Sequence, residues 1–148
     1  MRACLLLLTL AGVTAGCAPT YHVPPDIRYD RPRAAALETH AVEECTAWVG
    51  ADKVPKRTFV TDGCTLWPDG WWTGLSWEEC CVEHDIAYWC GGPEHLRTEA
   101  DAKLEQCVTD DYAHWMGALM HFGTWLGGGR YVPVHWRWGY GHNYPDPS

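Results

Sequence analysis

Cations are scarce in this chain: its 148 residues hold 11 Lys+Arg against 19 Asp+Glu, a formal charge of −8. Binding a phosphate backbone needs clustered cations, so nucleic acid is excluded as a partner class. Also lacking is an apolar run of the ~20 residues that cross a bilayer. The conspicuous run, Leu5-Leu6-Leu7-Leu8-Thr9-Leu10-Ala11, is far shorter. There are no internal repeats. With 47% hydrophobic and 20% charged residues, the composition suits one compact domain and excludes collagen-like, coiled-coil and wholly disordered classes.

Tryptophan (10) and cysteine (8), by contrast, are abundant. Arg2, the apolar run and the small residues Gly12, Thr14, Ala15 and Gly16 form the pattern of a secretory signal over residues 1–16. The adjoining Thr14-Ala15-Gly16-Cys17 resembles the lipobox of bacterial lipoproteins, with Thr14 where Leu is usual. That resemblance implies an envelope lipoprotein anchored through Cys17. Ordinary cleavage nearby would instead release a periplasmic or secreted protein. Setting aside Cys4 and Cys17 leaves Cys45, Cys64, Cys80, Cys81, Cys90 and Cys107. An even set permits three disulfides in an oxidising compartment, and spacing alone leaves every connectivity open. Residues 17–36, with Pro19, Pro24, Pro25 and Pro32, read as a tether, and residues 37–148 as the domain.

The domain reads as mainly α. Leu37, Ala41, Cys45 and Trp48 recur at helical spacing, predicting a helix from Ala34 to Val49. Lys53 to Asp69 is irregular, with a turn at Pro68-Asp69-Gly70. Ser76-Trp77-Glu78-Glu79 has a capping-box pattern, and Cys90-Gly91-Gly92-Pro93 a stop, predicting a helix from Trp77 to about Trp89. A longer helix is expected to begin between Pro93 and Thr98. Its stripe of Leu104, Val108, Trp115, Leu119 and Phe122 runs to Gly127-Gly128-Gly129. The C-terminal remainder, with Trp136-Arg137-Trp138-Gly139-Tyr140, is loop or short strand.

Chemistry concentrates on the first of these two helices. Cys81, His84, Asp85 and Tyr88 stand at i, i+3, i+4 and i+7 and share one face. On the second helix Asp101 falls on the apolar stripe of Leu104 and Val108, where an unpaired carboxylate is costly. His84 is its natural partner. In an antiparallel pair, facing residues have nearly constant index sums, so a Cys80–Cys107 disulfide would bring Asp101 close to His84. The alternative reading makes Asp101 the third residue of a capping box opened by Thr98.

Cys80-Cys81-x-x-His84-Asp85-x-x-Tyr88 is similar to the active-site helix of secreted phospholipase A2. Cys107 lies six residues after Asp101, and Cys64 twenty before His84, both as in that family. The likeness covers about Thr61 to Val108. It implies two antiparallel disulfide-linked helices with an irregular calcium loop, and a calcium-dependent hydrolase of the sn-2 ester of phospholipids. By position His84 would be the general base, Asp101 would orient it, and Tyr88 would hydrogen-bond Asp101. Asp85 would ligate Ca²⁺ together with carbonyls of Gly63, Thr65 and Trp67. The pairings Cys80–Cys107 and Cys64–Cys81 match the family, and Cys45–Cys90 is what remains.

One departure bears on this reading. The family usually shows Cys-Gly-x-Gly-Gly where this chain has Cys64-Thr65-Leu66-Trp67-Pro68-Asp69-Gly70, so Asp62 or Asp69 is a substitute oxygen donor. The altered loop motivates an alternative: the same fold as a catalytically inactive lipid- or protein-binding module of the cell envelope. The phospholipid membrane surface is the expected partner. Trp67, Trp71 and Trp72 read either as an interfacial rim, docking by hydrophobic contact because negative charge weakens attraction to anionic bilayers, or as core volume of a small disulfide-rich domain. His114 and His121 read as surface or packing residues, and Lys53, Lys56 and Arg57 as a solvated basic loop. A metal-dependent phosphohydrolase would need further ligands, for which only His40 is a candidate.

Overall fold

Four α-helices account for most of residues 31–64, 77–111 and 114–145, which are the residues that the computed structural model of the protein describes. They are α1 (Arg31–Val49), α2 (Glu78–Cys90), α3 (Glu94–Asp111) and α4 (His114–Gly127), and a 3-10 turn, Ala51–Lys53, follows α1. Among the described residues there is no strand, so the C-terminal segment is irregular. The signal segment, Cys17, most of the tether and residues 65–76 lie outside the described residues.

Helix α2 is the central element. It buries Cys80, Cys81, Val82 and every residue from Ile86 to Cys90, leaving Glu83, His84 and Asp85 as its accessible arc beyond the first turn. Val82, Ile86 and Trp89 pack on Leu37, Ala41 and Cys45 of α1 and on Phe59. Cys80 and Cys81 join Leu104 and Val108 of α3 and Met116 and Met120 of α4. Ala87 and Tyr88 meet Ala100 and Trp138.

Three disulfides, Cys45–Cys90, Cys64–Cys81 and Cys80–Cys107, all end on α2. The N-cap of α2 is Trp77, which makes no side-chain cap hydrogen bond, in place of the expected Ser76. Trp77 is 1% exposed, so burial and the two cross-links at Cys80 and Cys81 fix this end without a polar cap. At the other end Gly91, at φ 70, donates to Ala87 O, as the glycine stop requires.

The C-terminal segment completes that end. The last carbonyls of a helix lack intrahelical partners. Here Gly139 N–H donates to Tyr88 O (2.7 Å), Gly141 N–H to Trp89 O (3.1 Å), and His142 Nε2–H to Cys90 O (2.9 Å). Trp138 Nε1–H reaches Gly92 O in the adjoining turn. The segment is thus a polar lid on α2, held down by the fully buried Trp138.

Other expectations are corrected: α1 starts at Arg31, not Ala34, so the end of the expected tether is helical. The expected long second helix is two helices, α3 ending at Asp111 and α4 starting at His114. The two are antiparallel: His121 Nδ1 lies 2.6 Å from Glu105 Oε2, and Gly117 sits where any Cβ would strike Thr109 and the Glu105 carbonyl. The Trp115, Leu119 and Phe122 stripe is exposed, and Met116, Gly117 and Met120 are the buried face instead. Helix α3 also starts at Glu94, which places Asp101 well inside it and removes the capping-box reading.

Candidate active site

The α2 face presents Cys81, His84 and Tyr88 to α3, with Asp85 turned toward the Thr61–Gly63 loop, and the Cys80–Cys107 bridge (Cα–Cα 5.9 Å) sets the register of the two helices. In that register His84 Nε2 stands 3.0 Å from Asp101 Oδ1, and Tyr88 O–H donates to the same oxygen at 2.7 Å. The His84 and Tyr88 rings lie against each other, centroids 4.2 Å apart. The His84 and Asp101 side chains are 8% and 4% exposed.

Burial pushes the Asp101 carboxyl up. The hydrogen bond and charge of His84, the Tyr88 hydroxyl and the Arg97 guanidinium outweigh burial and hold it below the usual carboxylate range. An ionised carboxylate only accepts, so Nε2 carries the imidazole proton. In the neutral ring Nδ1 is then the lone pair, and it makes no hydrogen bond among the described residues. Burial and the charge of Asp101 push the Tyr88 hydroxyl up, so it stays a donor.

Arg97 was not singled out from sequence. It stands one turn before Asp101, with Nε 4.0 Å from Asp101 Oδ2, and it reaches Tyr88 Oη at 3.4 Å. Its Nη2 donates to the carbonyls of Thr124 (3.1 Å) and Trp125 (2.8 Å) in the last turn of α4. One cation therefore ties the carboxylate to the C-terminus of α4, where positive charge is favoured. The i, i+4 Arg–Asp spacing was the available signal.

Asp85 is half-buried, and its Oδ2 accepts from Thr61 Oγ1 at 2.6 Å, while Gly63 N–H donates to that Oγ1 at 3.0 Å. Burial and the charge of Asp62 together outweigh the Thr61 hydrogen bond and push the Asp85 carboxyl well up. No sequence signal pointed to Thr61. Behind Asp85, the Tyr140 hydroxyl lies 2.9 Å from its carbonyl and 3.1 Å from that of Val60, linking α2 to the C-terminal segment.

His84, Asp85 and Tyr88 border a cleft of about 380 Å³. They form one side, with Gly63 and the Cys64–Cys81 bridge at one end. Leu104, Met120, Gly123 and Thr124 form the other. The structure thus brings together His84, Asp101, Tyr88, Asp85 and Gly63. Thr65, Trp67, Asp69, Trp71 and Trp72 lie outside the described residues.

A hard cation suits Asp85. A carboxylate that burial and a second carboxylate make reluctant to ionise is relieved by a divalent ion, and calcium takes oxygen ligands. Among the described residues no three acidic, His or Cys side chains converge on one point, so backbone carbonyls would have to complete such a site. His40 is engaged with Glu83 Oε1 at 2.9 Å, away from this cleft.

Comparison with protein-family models, with curated proteins and with solved structures finds no match for this chain.

Proposed function

We propose that this protein hydrolyses the sn-2 ester of phospholipids, using His84 to activate water. The observation that carries the reading is the pairing of His84 Nε2 with Asp101 Oδ1 on the wall of a largely apolar cleft. With Nε2 engaged, Nδ1 takes a proton from water as its oxygen attacks the ester carbonyl. Asp101 holds the ring and stabilises the imidazolium that forms. As the tetrahedral intermediate collapses, the ester C–O bond breaks and His84 returns the proton to the leaving alkoxide. Tyr88 and Arg97 keep Asp101 ionised and in place. Asp85, with backbone carbonyls such as that of Gly63, would hold a calcium ion, which would supply Lewis-acid polarisation of the ester carbonyl.

Helix α4 supports a lipid substrate. Its inner face lines the cleft, while Trp115, Leu119, Phe122, Trp125 and Leu126 stand exposed on the outside, Trp115 at 68%. A contiguous apolar patch of this kind is a mark of a membrane or partner surface. At 14 residues α4 is too short to cross a bilayer, and with a chain charge of −8 its docking would be hydrophobic. Three disulfides and a leader-like N-terminus support export, with Cys17 as lipid anchor. The exposed row would equally serve a lipid-binding module without turnover.

Fatty-acid release from sn-2-labelled phosphatidylcholine vesicles, with calcium and then with chelator, separates the two. Calcium-dependent release is expected, and His84→Gln should lower it at least ~100-fold while far-UV circular dichroism is unchanged. Release undiminished in His84→Gln means that the base is another group. Vesicle binding without release leaves the binding module.

A further inference from the structure

A second cleft, of about 450 Å³, lies between the loop after α1 and the C-terminal segment and shares no lining residue with the first. Its cations are Arg57 and Arg137, and its walls include Val60, Pro133, Val134 and Tyr144. Arg57, expected to be one cation of a solvated loop, is exposed as expected and leans toward this segment. Its Nη1 and Nη2 make only long contacts, 3.4 Å to Tyr140 O and 3.5 Å to Asn143 Oδ1.

Arg137 is the unusual group. A buried guanidinium is normally paired with a carboxylate, yet this one is 4% exposed and has no carboxylate partner among the described residues. Its Nη1 donates to the carbonyls of Trp138 (2.9 Å) and Gly139 (3.3 Å), and its guanidinium carbon lies 4.7 Å from the centre of the Tyr144 ring. Nε and Nη2 make no hydrogen bond among the described residues. Burial and the neighbouring charge of Arg57 pull its basicity down, against the opposing influence of Tyr144. Among the described residues, two guanidinium groups and no carboxylate thus line one apolar-walled cleft.

We propose that this cleft binds a phosphoryl oxyanion, with Arg57 and Arg137 as its ligands. Guanidinium forks match phosphoryl oxygens in geometry and charge, and an anion between the two removes their repulsion. Free phosphate and the phosphate of a lipid headgroup both present this chemistry. The walls of Val60, Pro133 and Val134 favour a phosphate carried on an alkyl chain.

Calorimetric titration of the folded, oxidised protein with inorganic phosphate, hexyl phosphate and hexyltrimethylammonium tests this at fixed ionic strength. Hexyl phosphate is expected to bind at least ~10-fold more tightly than inorganic phosphate, since each buried methylene adds affinity. The cationic amphiphile should not bind. Arg57→Met should weaken hexyl phosphate at least ~10-fold, the loss of a charge-assisted hydrogen bond. Arg137 also holds its own backbone, so Val134→Trp is the better second variant: it fills the cleft, keeps both charges and should abolish binding. Equal affinity for inorganic and hexyl phosphate, both lowered in Arg57→Met, assigns the site to free phosphate. No binding of either phosphate, equal binding of the cationic amphiphile, or full affinity in Arg57→Met overturns the proposal. None of these readouts involves ester hydrolysis, so the outcome is independent of the His84 reading.

Discussion

Asp101 is the residue on which the first site turns, because its charge is stabilised by neighbours from two helices. Its Oδ1 accepts from His84 Nε2 and the Tyr88 hydroxyl, and Arg97 stands beside Oδ2. The folded pKa lies below the ordinary value of 3.8, so the native state binds fewer protons than the unfolded one near that pH. The corresponding stability is present above the unfolded pKa and is lost as pH falls through the folded one. Asp101→Asn removes that linkage. Its unfolding free energy in urea should fall short of wild type by about 1–3 kcal/mol at pH 7, with the gap closing below about pH 4. A gap that stays constant from pH 7 to pH 3 would show that the carboxylate charge is not what these neighbours stabilise. His84, Asp85, Tyr88 and Asp101 were legible in sequence because helical periodicity alone fixes which side chains share a face. Thr61 and Arg137 were not, since their roles depend on where irregular segments settle against α2.

At the scale of elements, the α3–α4 pair shows where periodicity fails. Trp115, Leu119 and Phe122 continue the spacing of Leu104 and Val108, and no Gly or Pro stands between Asp111 and His114, so the chain reads as one helix. The apolar period records that a face exists, not whether that face is covered. The glycines of α4 carry the missing information. Gly117 permits close approach to α3, whereas a Cβ at Gly123 would meet nothing within 4 Å, because Gly123 opens onto the cleft. A glycine within a helix is about 1 kcal/mol less favourable than alanine. Gly123→Ala should therefore raise stability by about 0.5–1 kcal/mol and leave the proposed hydrolysis intact. Gly123→Trp should keep the melting temperature near wild type and abolish turnover by filling the cleft. Full turnover in Gly123→Trp would mean that substrate does not enter along α4.

For the whole molecule, the decisive feature is that every cross-link among the described residues ends on α2. Cys45–Cys90, Cys64–Cys81 and Cys80–Cys107 close loops of 45, 17 and 27 residues. Restricting the unfolded chain over such lengths is worth about 3–4 kcal/mol per bridge, so the three together rival the 5–15 kcal/mol that keeps a typical domain folded. Full reduction should abolish the cooperative unfolding transition. The bridges differ in what else they hold. Cys45–Cys90 ties α1 to the far end of α2, whereas Cys80–Cys107 sets the α2–α3 register that brings His84 to Asp101. Replacing either pair with alanines should therefore lower stability by a similar ~3–4 kcal/mol. Only the Cys80→Ala, Cys107→Ala protein should also lose turnover when assayed at a temperature where both variants remain folded. Equal loss of turnover in the two would mean that the bridges act through global stability alone. Retention in both would mean that packing of Leu104 and Val108 against α2 suffices to hold the register.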